Sequence, residues 1–282
     1  MNNMSEIRDH TRSVTQTVKI SGAQKMIATA HIGRVKEELD NAQPYHNKIK
    51  SSIASVLGDS NFQSDFIKQR SEPKCRGLLI LSADKGLAGG YNQNVMYLAD
   101  SELLHGDVAA VLAVGHVGFN KLERTCKCLD KNFFHQVESP TLDTAGEIAD
   151  KIIGLFKDGT VDSFDVIYTY YKSAIHMIPT IERLIPISSK DFADLNPRQL
   201  EFSPSSDKVF EALIPIYLKG FLFGCLVNAW MSELSSRVTA MDSAIRNGND
   251  MLSRLSLEYN RARQGSITQE ITEIVSSASS MK

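Results

Sequence analysis

Apolar and weakly polar residues recur along the start of the chain at alternating intervals of four and three: Ile7, Thr11, Val14, Val18, Ser21, Lys25, Ala28, Ile32, Val35, Leu39 and Ala42. Ile20, Gln24 and Ile27 form a flanking strip. That spacing keeps returning to one face of a helix and is the seam of a coiled coil. It recurs at the other end in Leu234, Val238, Met241, Ile245, Leu252, Leu255, Tyr259 and Ala262, and resumes beyond Gly265 as Ile267, Ile271, Ile274 and Ala278. Gly248 and Gly265 interrupt this second helix at about 1 kcal/mol each relative to Ala. Proline keeps to the same limits: none of the eight precedes Pro44 or follows Pro215, so both ends read as helix, the second from Ile216 to about Ser280.

The first seam is weak, because Thr11, Ser21 and Lys25 stand where a self-sufficient coiled coil would carry Leu or Ile. Polar seam positions point to other surfaces sharing the helix. Length sharpens this: a helix of roughly 65 residues at ~1.5 Å per residue is about 100 Å long, against ~30 Å for a small domain. Its own globule cannot enclose it. It needs a neighbour along its seam, and the N-terminal helix, running antiparallel, is the predicted one.

Between the two helices the pattern alternates. Gly77 to Ser82, Ala109 to Val114 and Phe164 to Tyr171 read as buried strands, with helices over Asn92 to Leu104, Gly118 to Cys126 and Thr144 to Asp158. Such alternation predicts an α/β fold, Rossmann-like, with a mostly parallel sheet under packed helices. Polar, turn-rich stretches at Gly58 to Pro73 and Ser188 to Asp207 connect this region to the long helices. The expected division is therefore an N-terminal coiled-coil helix over 1–58, a central α/β domain over 59–207 and a C-terminal coiled-coil helix over 208–282.

Composition narrows the function classes. A net charge of −2 with 23% charged residues offers no basic field for nucleic acid. The opening MNNMSEIRDH has neither a signal-peptide core nor transit-peptide character. Ile214 to Met231, the most apolar stretch, is interrupted by Lys219, Asn228 and two glycines and falls short of the ~20 apolar residues of a bilayer span. Any membrane association is then expected through partners. Cys75, Cys126, Cys128 and Cys225 show no zinc spacing and suit a reducing compartment; the seven histidines form no metal-binding pair.

The turn SADKGLAGG, residues 82–90, follows a strand and precedes a helix, where a phosphate cradle would sit. Its order is wrong for a P-loop, which needs Lys after the last Gly, and it lacks GxGxxG. A tight strand-to-helix turn is the expected reading. No nucleophile elbow or other catalytic constellation stands out, and no cofactor or metal site is predicted. More unusual are Arg261, Arg263, Gln264, Thr268, Gln269, Glu270 and Glu273, which crowd the last helix. They read either as a solvated face or as a docking surface making directional hydrogen bonds to a surrounding partner.

Three blocks, IRDHTRSVTQTVKISGAQKMIATA, SADKGLAGGYNQNV and YNRARQGSITQEITEIVSSA, resemble the gamma subunits of F-type ATP synthases, in the right order and across essentially the whole chain. The resemblance implies a non-catalytic rotor subunit. Its paired helices would pass up the centre of a hexamer of alpha and beta subunits, whose beta subunits hold the catalytic sites. Its α/β domain would sit with the epsilon subunit on the membrane c-ring. By position, Arg263 and Gln264 match a polar pair that engages a beta subunit, and Arg237, Thr268 and Glu270 match positions implicated in coupling; Met26 lies on the opposing helix. The chain departs from the family pattern at Gln24, where many relatives carry Met, and at Gly22, where they often carry Lys. The implied location is the cytoplasmic face of a bacterial membrane. Two other classes compete: an α/β enzyme with helical arms, which would bind a small molecule alone, and a static coiled-coil scaffold, which would form a stable homodimer.

Overall fold

The computed structural model describes residues 4–58, 75–188 and 205–280, with residues 64, 66, 67, 192 and 203 between them; at 38–43, 45–47 and 278–280 only the backbone is described. In chain order the elements are α1 (Met4–Leu57), β1 (Arg76–Leu81), α2 (Tyr91–Leu103), β2 (Val108–Val114), α3 (His116–Thr125), β3 (Leu129–His135), α4 (Leu142–Lys157), β4 (Ser163–Ser173), β5 (His176–Ile185) and α5 (Ser206–Ser280). By packing they fall into two units: residues 1–29 with 237–282, and residues 30–236.

The first unit is a pair of helical segments. Lys25 meets Asp242 at 2.5 Å, Gly248 lies against Val18, and the Arg8 guanidinium sits 5.8 Å over the Tyr259 ring. As the α1 number falls the α5 number rises by a similar amount, which makes the pair antiparallel. Ile7, Thr11, Val14, Val18, Ser21, Lys25 and Ala28 are all buried or half-buried, and so are Val238, Met241, Ile245, Leu252, Leu255, Tyr259 and Ala262. Both seams therefore face inward as the spacing predicts. The flanking strip does not: Ile20 and Ile27 are largely exposed. Seam residues Leu39, Ala42 and Ala278 lie outside the described side chains. The polar seam residues are accommodated locally, with Thr11 donating to the Ile7 carbonyl at 2.7 Å and Lys25 paired to Asp242.

The second unit carries a five-stranded sheet in the order β3-β2-β1-β4-β5. Its first three pairings are parallel, and β5 returns antiparallel to β4. Strand alternation turns Leu78, Ile80, Val111 and Ala113 toward a cluster with Tyr91, Val95, Met96 and Ala99 of α2 and Leu122 of α3. Leu79, Leu81, Leu112 and Val114 point the other way and are equally buried, so helices cover both faces, as a parallel sheet requires. At the strands' amino ends Arg76 joins Asp165 at 2.8 Å and Glu102 at 2.9 Å, and Arg183 also pairs with Asp165. The buried Asp165 carboxylate is thus answered by two guanidinium groups.

Two expectations are corrected. Proline does not mark the helix limits: α1 continues through Pro44 to Leu57, and α5 begins at Ser206, before Pro215. An interior proline costs about 3 kcal/mol, but Ile53, Ala54 and Val56 beyond Pro44, and Phe210, Ile214, Tyr217 and Leu218 around Pro215, are buried. Full burial of a large apolar side chain returns about 1.5–3 kcal/mol, so packing outweighs the lost hydrogen bond. The other correction concerns Ile267, Ile271 and Ile274, which are exposed and form no seam. By the antiparallel register Met4, the first described residue of α1, falls opposite the segment just past Tyr259, so the described part of α1 does not reach them.

Candidate functional site

In an open α/β sheet a ligand binds outside the carboxyl ends of the strands, where neighbouring strands leave in opposite directions. Here that point lies between β1 and β4, because β2 and β3 build outward on one side and β4 and β5 on the other. It is filled by the chain itself. Pairing of β1 with β4 ends at Ile80 and Ile167, and the next backbone groups of β4 are taken by α5: Ser232 donates to the Thr169 carbonyl at 3.1 Å, and the Tyr171 amide donates to Asn228 Oδ1 at 3.3 Å. Tyr91, the first residue of α2, is buried beside Thr169 and Glu233; burial, then the charge of Glu233, pushes its phenol well above the ordinary range.

The glycine-rich turn is tied down in the same way. One Asp84 carboxylate oxygen accepts from the His116 amide at 3.3 Å, and the other accepts from the Val137 and Glu138 amides at 2.8 Å each. Lys85 pairs with Glu138 at 2.9 Å. The amides that Asp84 engages belong to the chain just after β2 and β3, so its carboxylate ties the turn to the ends of those strands. Ser82 accepts from the Gly118 amide at 2.8 Å, and Gly115, at φ 92°, packs so closely on Ser82 that a Cβ would collide with its carbonyl. The turn is a brace across three strand ends, in agreement with its expected structural reading.

The residues singled out in the sequence occupy two levels of the helical pair. Arg263, Gln264, Thr268 and Glu270 lie within two turns of one another near the end of α5, all exposed, and Thr268 donates to the Gln264 carbonyl at 2.9 Å. Ile267, Ile271, Ile274 and Val275 stand among them, Ile274 with 67% of its surface open. Arg237, half-buried, is about 40 Å away along the helix axis. It shares its level with Met26, which is 70% exposed beside the Lys25–Asp242 pair. Asp242 also meets Arg246 at 3.3 Å, and the hydrogen bond from Lys25, with its charge, holds the Asp242 carboxyl below the usual range.

Sequence reasoning missed Ser232 and took Asn228 only as an interruption of an apolar stretch. Their signal is the four-residue spacing of small polar side chains on an otherwise apolar helix. That helix is apolar and long enough to cross a membrane, but Leu222, Leu226, Val227, Trp230 and Met231 are core residues of the second unit. All four cysteines carry free thiols.

A family model described as ATP synthase matches residues 3–281. The ATP synthase gamma chain of Ruminiclostridium cellulolyticum is 37% identical over 292 residues, spanning 100% of this chain and 99% of that one. That of Acetivibrio thermocellus is 34% identical over 295 residues and is covered completely on both sides. A chain of the central stalk and c-ring of the Tetrahymena thermophila mitochondrial ATP synthase shares the fold at TM-score 0.61 and 22% identity, over 80% of this chain and 99% of that one. One from the Euglena gracilis mitochondrial enzyme does so at TM-score 0.58 and 13% identity, over 95% of each. Full-length kinship to these proteins makes this chain a member of the ATP synthase gamma-chain family.

Proposed function

We propose that the chain is a non-catalytic shaft: it carries torque between an ion-driven c-ring and a hexamer of alpha and beta subunits, whose beta subunits do the ATP chemistry. The α/β domain is the end that meets the c-ring and the epsilon subunit, on the cytoplasmic face of a bacterial membrane, and the chain touches the membrane only through these partners. The helical pair is the end that turns inside the hexamer. One observation carries this reading: the ligand crevice of the α/β domain is occupied by α5, the same helix that supplies the bare polar and apolar tip.

The mechanism follows from asymmetry. An antiparallel pair presents a different face to each of three surrounding beta subunits, and each subunit shifts toward the state that face binds better. Met26, Arg237, Arg263, Gln264, Thr268 and Glu270 supply these contacts. Polar contacts of exposed side chains are made and broken at low cost, which suits a surface that must move past its bearing. Replacing Arg263 and Gln264 together with Ala is expected to lower ATP turnover or assembly of the reconstituted complex. Parental values for both would remove these residues from the coupling surface.

A further inference from the structure

Resting on the torque reading, we infer that Asn228, Ser232 and Ser236 form a rotational lock, a row of side chains that keys α5 to β4 and β5 and stops the shaft from slipping in the domain that drives it. The three stand at successive four-residue intervals and therefore share one face of α5. Each bonds to the β4–β5 hairpin: Asn228 accepts from the Tyr171 amide at 3.3 Å, Ser232 donates to the Thr169 carbonyl at 3.1 Å, and Ser236 donates to the Met177 sulfur at 3.4 Å. Tyr171 and Met177 are cross-strand partners, so the row engages both strands of the hairpin. The Asn228 amide is itself oriented, since its Nδ2 donates to the Gly224 carbonyl at 2.8 Å.

Around this row α5 is buried on all sides, every residue from Ala229 to Ser235 included. Close apolar packing holds the helix by shape, and hydrogen bonds add a directional constraint on its rotation. Hydrogen bonds fail steeply with angle, and at the buried Ser232–Thr169 contact a broken one strands both partners. The stranded backbone group there would be the Thr169 carbonyl of β4, which has no strand on that edge beyond Ile167 to take it. Rotating α5 within its bed therefore breaks this row as well as disturbing the packed side chains around it, and α5 continues from it as one helix into the segment paired with α1.

The test uses the complete complex in membrane vesicles and compares ATP hydrolysis with ATP-driven ion uptake, read with a pH-sensitive dye and with radiolabelled sodium. The double variant Asn228→Ala/Ser232→Ala is expected to keep hydrolysis within about twofold of the parent and to lower the uptake-to-hydrolysis ratio at least threefold. Ser232→Thr and Ser232→Val serve as an isosteric pair that stays informative if the double variant does not assemble: Thr keeps the hydroxyl and is expected to retain at least twice the ratio that Val does. A parental ratio in the double variant, a parallel fall of hydrolysis and uptake, or equal ratios for Thr and Val would overturn the lock. Arg263→Ala/Gln264→Ala, measured alongside, separates the two ideas. If vesicles whose complex lacks this chain take up ions on ATP as the parent does, the torque reading fails; if the Arg263/Gln264 variant lowers turnover while the row variants behave as the parent, only the lock fails.

Discussion

Residues 225–235 and residues 263–277 belong to one uninterrupted helix and have opposite surroundings. The first stretch is enclosed by its own domain, with Leu226, Val227 and Ala229 fully buried; in the second every residue but Ser266 is exposed, four large aliphatic residues among them. Helix propensity cannot account for the difference, because both stretches are helical. What differs is the surroundings: the sheet and its helices enclose the first stretch, and among the described residues the side chains of the second stand largely exposed. A helix that is gripped at one place and left bare at another has the two attachments of a transmission element, one made by folding and one left for assembly.

Substitutions that remove buried volume should separate the two regions most sharply. Leu226→Ala leaves a cavity in a fully buried site and is expected to lower the stability of the α/β unit by about 3 kcal/mol, whereas Ile271→Ala, on the bare tip, should fall within about 0.5 kcal/mol of the parent. Thermal melts of the isolated chain decide this, and equal losses would erase the contrast. The glycines make a second pair. A methyl on Gly248 would strike Val18 across the helical pair, an overpacking cost of about 1–3 kcal/mol against a helix-propensity gain of about 1, so Gly248→Ala should lower Tm and Val18→Ala in the same chain should restore it. Gly265 has open space, and Gly265→Ala should gain up to about 1 kcal/mol.

The smallest effect concerns pH. Because the Asp242 carboxyl is held below its usual range by Lys25, its contribution is fully present above the ordinary carboxylate pKa of about 4 and is lost as pH falls through the depressed value. Melts of the chain across that window should show a pH-dependent component that Asp242→Asn removes. An unchanged profile in the variant would show that the pair across α1 and α5 adds nothing.

Much of this was legible in the residues, and the exceptions have physical causes. β1, β2 and β4 are central strands buried on both faces, so they read as continuous apolar runs. β3 and β5 are edge strands: LDKNFFH is half polar, and HMIPTIERLI carries Pro179, which an edge tolerates and a centre does not, so neither stood out. The seam residues from Ile7 to Ala28 were readable because periodicity survives polar substitution. The prolines misled because burial on either side outweighs a single missing hydrogen bond. The stripe from Ile267 onward has the spacing of a seam, and spacing alone does not reveal whether the opposing helix reaches it. Asn228 stood out only as a break in an apolar run, and the four-residue spacing that it shares with Ser232 gains meaning only from where β1 stops, a fact of topology.

On the proposed function, α5 carries rotation between the α/β domain and the catalytic subunits. With the hexamer fixed to a surface and a probe carried on the exposed Cys128 of the α/β domain, ATP should drive stepwise rotation of the probe in one direction, in thirds of a turn set by three beta subunits. ATP hydrolysis at full rate with the probe stationary would contradict it.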